Sequence, residues 1–449
     1  MRKPMLTMAT PTIMDMAIIE ATIIMGLISF SFALRCPRPR PRHLAAPRST
    51  ALAPLVFRSA AKCAPPSATQ TNLLFFSFYL LLTIQHFVST YTKLPLENEQ
   101  EIEINRSIYK KVITAHQYIG KLQEAAKKIP NKNILSSLFT LKEAQTSSCI
   151  EGIETTNEDL FDLTTGNQKN KENVKRYQTT INQVWEHVSN RKVKIIKIED
   201  IKLIRAMIIG NKEGFRKDNE TRIINTKTGE TLLQPINYTE INEYLDNLLE
   251  YINQDNTIND SDDFIKLALM HYQFETIHPF TDGNGRTGRM LMILFLLVKN
   301  YLDEPILYLS SYINEHKDLY YQYLQECNTK KIYCHFVEFI LDAIIGTTQE
   351  TIFKINCIDK EMKALKHAIR NDNKLKNIKQ PRDLIDCLFS RFWITQDKAL
   401  KTLNISRPTL SKHLNRLVEL GILETRKVKQ ETRFYNKKLV SIFVNKKDM

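Results

Sequence analysis

What this 449-residue chain lacks narrows its chemistry first. Its seven cysteines (36, 63, 149, 327, 334, 357 and 387) include no Cys-X-X-Cys pair and no Cys/His grouping at metal-ligand spacing. Neither a disulfide framework nor a zinc site is therefore indicated, and reduced thiols in a cytosol-like compartment are the simplest expectation. Long apolar runs are scarce too. Ala21 to Leu34 is short for a membrane span, and Leu73 to Val88 carries Gln85 and His86 inside it, against the roughly 20 apolar residues that a bilayer needs. Only 12 glycines are present, yet Gly283, Gly285 and Gly288 fall within six positions. The formal charge of +14 is unevenly spread. Residues 1 to 90 hold nine Lys/Arg against two acids and residues 380 to 449 hold fifteen against seven, which leaves the middle of the chain near −1. The length suits two or three domains, and the basic excess lies outside the central one.

The clustered glycines sit in HPFTDGNGRTGR, His278 to Arg289. A helical run from Phe264 to Ile277 precedes this stretch, and an almost wholly apolar helix, Met290 to Val298, follows it. Glycines let the backbone pass close to a ligand, and the free N–H groups and positive dipole end of the second helix suit a phosphate. Around that cradle stand a base that titrates near neutrality (His278), a hard oxygen ligand for a divalent cation (Asp282), a neutral amide (Asn284), and two guanidinium forks (Arg286 and Arg289). Each alone has a bland reading. Their assembly in twelve positions at the junction of two helices points to a functional site.

HPFTDGNGRTGR resembles the signature of the Fic (Fido) family of nucleotidyl transferases: His-Pro-Phe, any residue, Asp or Glu, Gly-Asn-Gly-Arg, and a second Arg three residues on. Every fixed position is matched. The resemblance implies a mainly α fold and transfer of AMP from ATP, with Mg²⁺, onto a Ser, Thr or Tyr hydroxyl of a protein. It implies His278 as general base and Asp282 as metal ligand. Gly283, Asn284, Gly285 and the loop amides would hold the α-phosphate region, and Arg286 and Arg289 the β- and γ-phosphates. The implied chemistry is physically sufficient, because phosphoryl-type transfer asks the protein mainly to position groups and neutralise oxygen charge. Other nucleotide or phosphocholine donors stay open, since the cradle does not specify the base.

Upstream, residues from Thr92 to Asn131 resemble the opening of Fic proteins with an N-terminal helical segment. Ile108, Val112, Ala115, Ile119 and Leu122 recur at helical spacing and form a core-facing stripe. In SSLFTLKEAQTSSCIEGIETT, Ser147, Glu151 and Gly152 fit the family's inhibitory-helix motif, in which Glu151 would reach Arg289 and compete with ATP. Glu151 positioning a water, so that the enzyme also removes AMP, is the alternative. After Gly214-Phe215-Arg216, the residues Ile223, Ile224, Leu232 and Leu233 flank a turn, Asn225 to Gly229, and predict a β-hairpin. It resembles the family's flap, which would align the target segment by strand addition.

Phe336 to Ile355 predicts a helix closing the core, and the charged run Lys360 to Lys379 a helical linker. Helices over Asp383 to Phe389, Thr395 to Leu403 and Arg407 to Leu420, followed by two basic strands, resemble a winged helix-turn-helix. Arg407, Thr409, Ser411, Lys412 and Arg416 on the third helix would face DNA, with Arg426, Lys427, Lys429 and Arg433 in the wing. A protein-interaction or dimerisation module is the alternative.

The expected organisation is an extension over 1–90, a helical segment over 91–205, a catalytic core over 206–358, a linker over 359–379 and a winged helix over 380–449. The extension is expected to lack a stable fold; membrane attachment and wrongly joined upstream sequence compete with that reading, and no Met lies between Met25 and Met207. The expected function is a self-inhibited protein adenylyltransferase whose core is cytoplasmic. Its implied partners are ATP, Mg²⁺, a hydroxyl-bearing protein, DNA and a second copy of the chain. A DNA-binding regulator whose core senses nucleotide or modifies the protein itself is the alternative.

Overall fold

At the centre of the fold lie two helices with no solvent-facing stripe, and a helix apolar all round belongs in a core. The structure is a computed structural model that describes residues 92–96, 102, 105–153, 168–224, 231–254, 261–428 and 430–444. The expected extension over 1–90, the hairpin turn Asn225 to Gly229 and Lys429 of the expected wing lie outside the described residues.

The chain begins with α1 (Arg106–Ala126), α2 (Lys132–Ile150), α3 (Gln168–Ser189) and α4 (Ile198–Ile209). A hairpin of β1 (Ile223–Ile224) and β2 (Thr231–Leu233) leads to α5 (Ile241–Asn253). The central pair is α6 (Asp263–Ile277) and α7 (Asn284–Val298), and every residue of α6 is buried. Asp262 caps α6 by accepting from Phe264 N at 2.8 Å, which satisfies one of the helix's orphan donors. α8 (Ser310–Glu315), α9 (Lys317–Lys330) and α10 (Cys334–Asn371) complete the helical body.

α1 behaves as its spacing requires. Asn105 caps it, accepting from Ser107 N at 2.9 Å, and Ile108, Val112, Ala115, Ile119 and Leu122 are all buried as it packs along α10. α2 is different. Its buried residues include Glu143, Gln145, Thr146, Ser147 and Ser148, so it is a helix with polar groups on several sides, wedged between α3, α8 and α7.

The expected hairpin forms. β1 pairs antiparallel with β2, Ile223 opposite Leu233 and Ile224 opposite Thr231, with a register shift between the two positions. The run expected as a helical linker over 359–379 is helical as far as Asn371, in one piece with the helix before it. α10 is one helix of 38 residues, about 57 Å long at 1.5 Å per residue, and it runs through the expected boundary. The reason is that Ile358, Leu365 and Ile369 remain buried at helical spacing beneath the charges, so the charged run is the outer face of an amphipathic helix.

The C-terminal module contains α11 (Pro381–Phe389), β3 (Trp393–Thr395), α12 (Gln396–Thr402), α13 (Arg407–Glu419), β4 (Leu423–Val428), β5 (Glu431–Asn436) and α14 (Lys437–Val444). Its sheet has the order β3-β5-β4, antiparallel throughout. Ser406 caps α13, and Leu410, Leu414 and Leu417 form its buried face. α14 returns to the helical body, where Phe443 meets Phe139 of α2 at 5.5 Å between ring centroids. Among the described residues, no helix is long and apolar enough to cross a membrane.

Candidate active site

The sequence 278–289 divides into two parts. His278 to Gly283 is a tight loop, and Asn284 to Arg289 already forms the first turns of α7. Gly283 caps α7 at φ +88° with no side-chain cap, which leaves the first N–H groups of the helix facing the loop's concavity. The loop is braced from within: Asn284 Oδ1 accepts from Phe280 N at 2.9 Å, and its Nδ2 donates to Phe280 O at 2.7 Å. Both amide atoms of Asn284 therefore shape the loop, with one Nδ2 hydrogen left over beside the backbone N–H groups. A second brace comes from outside. The buried Arg205 of α4 donates from Nε to Asp282 O at 3.2 Å and from Nη2 to Glu213 Oε2 at 2.9 Å.

His278 ends α6 in the left-handed region, φ +47°, a conformation that costs a non-glycine residue on the order of 1–2 kcal/mol. Its N–H still closes the helix onto Phe274 O at 3.0 Å. Nδ1 lies 3.2 Å from Glu275 O. A carbonyl can only accept, so the proton belongs on Nδ1 and Nε2 is left with a free lone pair. Burial is the main cause that lowers the His278 pKa, to about 4, with the Arg216 charge adding to it and the Glu275 carbonyl and Glu151 opposing it. At neutral pH His278 is an uncharged imidazole with Nε2 ready to accept a proton.

Arg289 is 1% exposed. It donates from Nε to Ser147 Oγ at 2.9 Å, and from Nη2 to Ser147 O at 2.9 Å and Glu151 Oε1 at 2.7 Å. Burial works to raise the Glu151 carboxyl, but Arg289 first, then Arg286 and His278, outweigh it and hold it below the usual range. Gly285 makes the pair fit: a methyl group there would overlap Glu151 Oε1 and Arg289 Nη1. Gly152 closes the segment at φ +74°. Arg286 is 5% exposed; burial lowers its pKa despite Asp282, whose Oδ1 lies 3.5 Å from Nη2. The Asp282 carboxylate itself is open to solvent, its side chain 69% exposed.

Sequence reasoning missed the groups that hold α2 in place. Glu143, fully buried, accepts from Ser310 N at 3.0 Å, from Ser310 Oγ and from Tyr177 OH at 3.1 Å. Burial raises its pKa against those hydrogen bonds. Lys317 donates to Ile150 O at 2.6 Å, a cation on the last carbonyls of a helix, where the dipole favours it. Beneath Arg289 lie two more buried groups: burial pushes Glu275 up to about 8 and lowers His271 to about 3. The visible signal for α2 was its polarity without a polar stripe, which a surface helix would not show.

Of the expected flap residues, Ile223 is half-buried on β1, and Ile224 and Leu232 lie in the paired strands. In the C-terminal module Arg407, Thr409 and Lys412 are exposed on α13 and Ser411 is half-exposed. Arg416 is turned inward instead, its Nε and Nη2 on Asp372 Oδ2 at 3.0 and 2.7 Å. Arg433 does not line the outside of the wing: it is 5% exposed and stacks 3.9 Å from the Trp393 ring centre, because β5 is the middle strand of the sheet.

Three family models match consecutive parts of the chain. They are "Fic/DOC family N-terminal" over residues 109–186, "Fic/DOC family" over 195–296, and "Protein adenylyltransferase SoFic-like, C-terminal domain" over 362–439. The chain belongs to the Fic/DOC family. A protein adenylyltransferase Fic of Aedes aegypti is 43% identical over 76 residues, 17% of this chain and 14% of that protein. Protein adenylyltransferase fic-1 of Caenorhabditis elegans is 30% identical over 102 residues, 23% of this chain and 19% of that one. The matches thus span less than a fifth of those relatives. A Fic family protein from Desulfovibrio desulfuricans G20, of known structure, is 18% identical, with 74% of this chain and 97% of that chain covered at a TM-score of 0.48.

Proposed function

We propose that this protein transfers AMP from ATP to a Ser, Thr or Tyr hydroxyl of a protein target, and that Glu151 holds it inhibited. The observation that carries the reading is the buried Arg289 held by Glu151 Oε1 at 2.7 Å, beside an uncharged His278 with a free Nε2. His278 takes the proton of the attacking hydroxyl as its oxygen bonds to the α-phosphorus and the bond to the α–β bridging oxygen breaks, which releases pyrophosphate. The N–H groups at the start of α7 meet phosphate oxygens, Arg286 binds the β-phosphate, and Arg289 binds the γ-phosphate once Glu151 has left. ATP is also the donor to which the adenylyltransferase names of the relatives point.

Mg²⁺ fits the residues present. Mg²⁺ is typically held by one or two carboxylates plus substrate phosphates, not by an all-protein cage, and Asp282 offers one exposed carboxylate at the mouth of the cradle. When bound, the ion would neutralise charge on the phosphate oxygens. The hairpin supports a docking role for the target, since an extended segment added beside β1–β2 is fixed by backbone pairing while its sequence stays loosely specified.

The C-terminal module supports a winged helix that binds DNA. Its helix and strand order, α11-β3-α12-α13-β4-β5, places Arg407 and Lys412 on the exposed face of α13 and Arg426 and Lys427 on β4. The experiment that tests the central reading is intact-mass analysis of the chain and of added proteins after incubation with ATP and Mg²⁺. A mass increase of one AMP that disappears in His278→Ala supports transfer, and no adduct from wild type or Glu151→Gly defeats it.

A further inference from the structure

The carbonyls on either side of the His278 Cα meet a single guanidinium that lies outside the signature. Arg216, 3% exposed, donates from Nε to His278 O at 2.9 Å and from Nη2 to Ile277 O at 3.3 Å. The same Nη2 reaches Ile236 O, just beyond β2. Nη1 donates to Asp218 O at 2.6 Å and Asn219 Oδ1 at 3.3 Å, on the approach to β1. The backbone joins in, with Arg216 N donating to Pro279 O at 2.9 Å and Ile236 N to Thr276 O at 3.3 Å. One planar group therefore touches the peptide of the proposed base and both feet of the hairpin.

We infer that Arg216 is a positioning residue that locks the β1–β2 hairpin to His278, so that a target segment laid on the hairpin arrives at a fixed distance from Nε2. The inference rests on the reading of His278 as general base. Guanidinium geometry is what makes the lock rigid: its five donors point in fixed directions in one plane, whereas a lysine ammonium on a flexible stem can meet only some of these carbonyls at once. His278 is held in a left-handed conformation that a histidine adopts only when its surroundings over-determine it, and the Arg216 contacts to residues 277 and 278 supply that constraint. The consequence for catalysis is steep, because a misplacement of about 1 Å costs a rate roughly 100-fold. The Arg216 charge also disfavours protonation of His278, among the charged groups that face the imidazole together with Glu151.

Two variants separate geometry from charge, each built in the full chain carrying Glu151→Gly. Arg216→Lys keeps the charge and loses the fork; Arg216→Gln keeps a planar amide and loses the charge. The rate is read as self-labelling with α-labelled ATP. We expect Arg216→Lys to lower kcat about 10- to 100-fold while the Kd for ATP stays within about twofold of the parent.

A second readout needs no turnover: the ¹⁵N resonances of the His278 ring, assigned by their loss in His278→Ala. In Arg216→Lys the fixed Nδ1–H tautomer gives way to a mixture. In Arg216→Gln the titration midpoint moves up. A lysine variant with kcat within twofold of the parent and an unchanged tautomer would overturn the inference. So would ATP affinity that falls in step with the rate, since that marks a general support of the fold. If the parent labels nothing, the transferase reading fails, and the ring spectra still decide what Arg216 does.

Discussion

Replacing Glu151 by Gln removes the charge and keeps the shape of the side chain that occupies Arg289. In the wild type a guanidinium that is 1% exposed donates at 2.7 Å to a carboxylate whose side chain is 35% exposed. A hydrogen bond of this charge-assisted kind contributes about 1.5–3 kcal/mol. At about 1.4 kcal/mol per factor of ten, Glu151→Gln should raise AMP transfer roughly 10- to 140-fold at fixed ATP and Mg²⁺. Arg289 should remain in place, because Ser147 Oγ and O still accept from it at 2.9 Å. The assay is initial-rate self-labelling with α-labelled ATP, with Glu151→Gly alongside to separate loss of charge from loss of bulk. A change of less than twofold in both variants at ATP well below saturation would refute competition between Glu151 and the γ-phosphate.

His278→Ala should lose about 10²- to 10⁴-fold in transfer while calorimetry returns an unchanged ATP affinity; near-normal transfer would remove the base role. The pH profile follows from the lowered pKa of His278, about 4. The active form is the neutral imidazole, present above that value and lost below it, so the acid limb of the rate should lie near pH 4, well below the ordinary histidine range. A limb near 6.5 would place His278 in water. Glu143→Ala leaves Ser310 N and Tyr177 OH without their acceptor and loosens α2; loss of about 1 kcal/mol from the inhibited state should raise basal transfer about fivefold and lower the melting temperature by a few degrees. Arg407→Ala with Lys412→Ala should abolish retention of the full chain on a mixed-sequence DNA duplex at low salt, as lost phosphate contacts require. Equal retention of wild type and double variant would move the contact elsewhere.

The loop at 278–289 was legible because its chemistry is local: the base, carboxylate, amide and two arginines stand within twelve residues. The α1 stripe and the α6–α7 pair were legible for the same reason, since helical spacing is a short-range signal. Glu151 could be paired with Arg289 through family resemblance alone, since 138 positions separate them. Arg216 was in view beside Gly214 and Phe215, yet its partners at 277 and 278 are set by tertiary packing. The boundary at 359 was drawn where the charge density rises, while Ile358, Leu365 and Ile369 carry the buried stripe of α10 onward. Arg433 misled because it was grouped with the basic residues Arg426, Lys427 and Lys429 before it in the chain, and only the strand order β3-β5-β4 puts it over Trp393. α14, at eight residues, was too short to separate from the strand before it.

Labelling with ATP carrying its tag on the α-phosphate, against ATP tagged on the γ-phosphate, tests the central claim most directly, with wild type, Glu151→Gln and His278→Ala in parallel. Protein-bound label is expected from the α-tag alone, stronger in Glu151→Gln and absent in His278→Ala. Label from the γ-tag, or α-label that persists without His278, would contradict the claim.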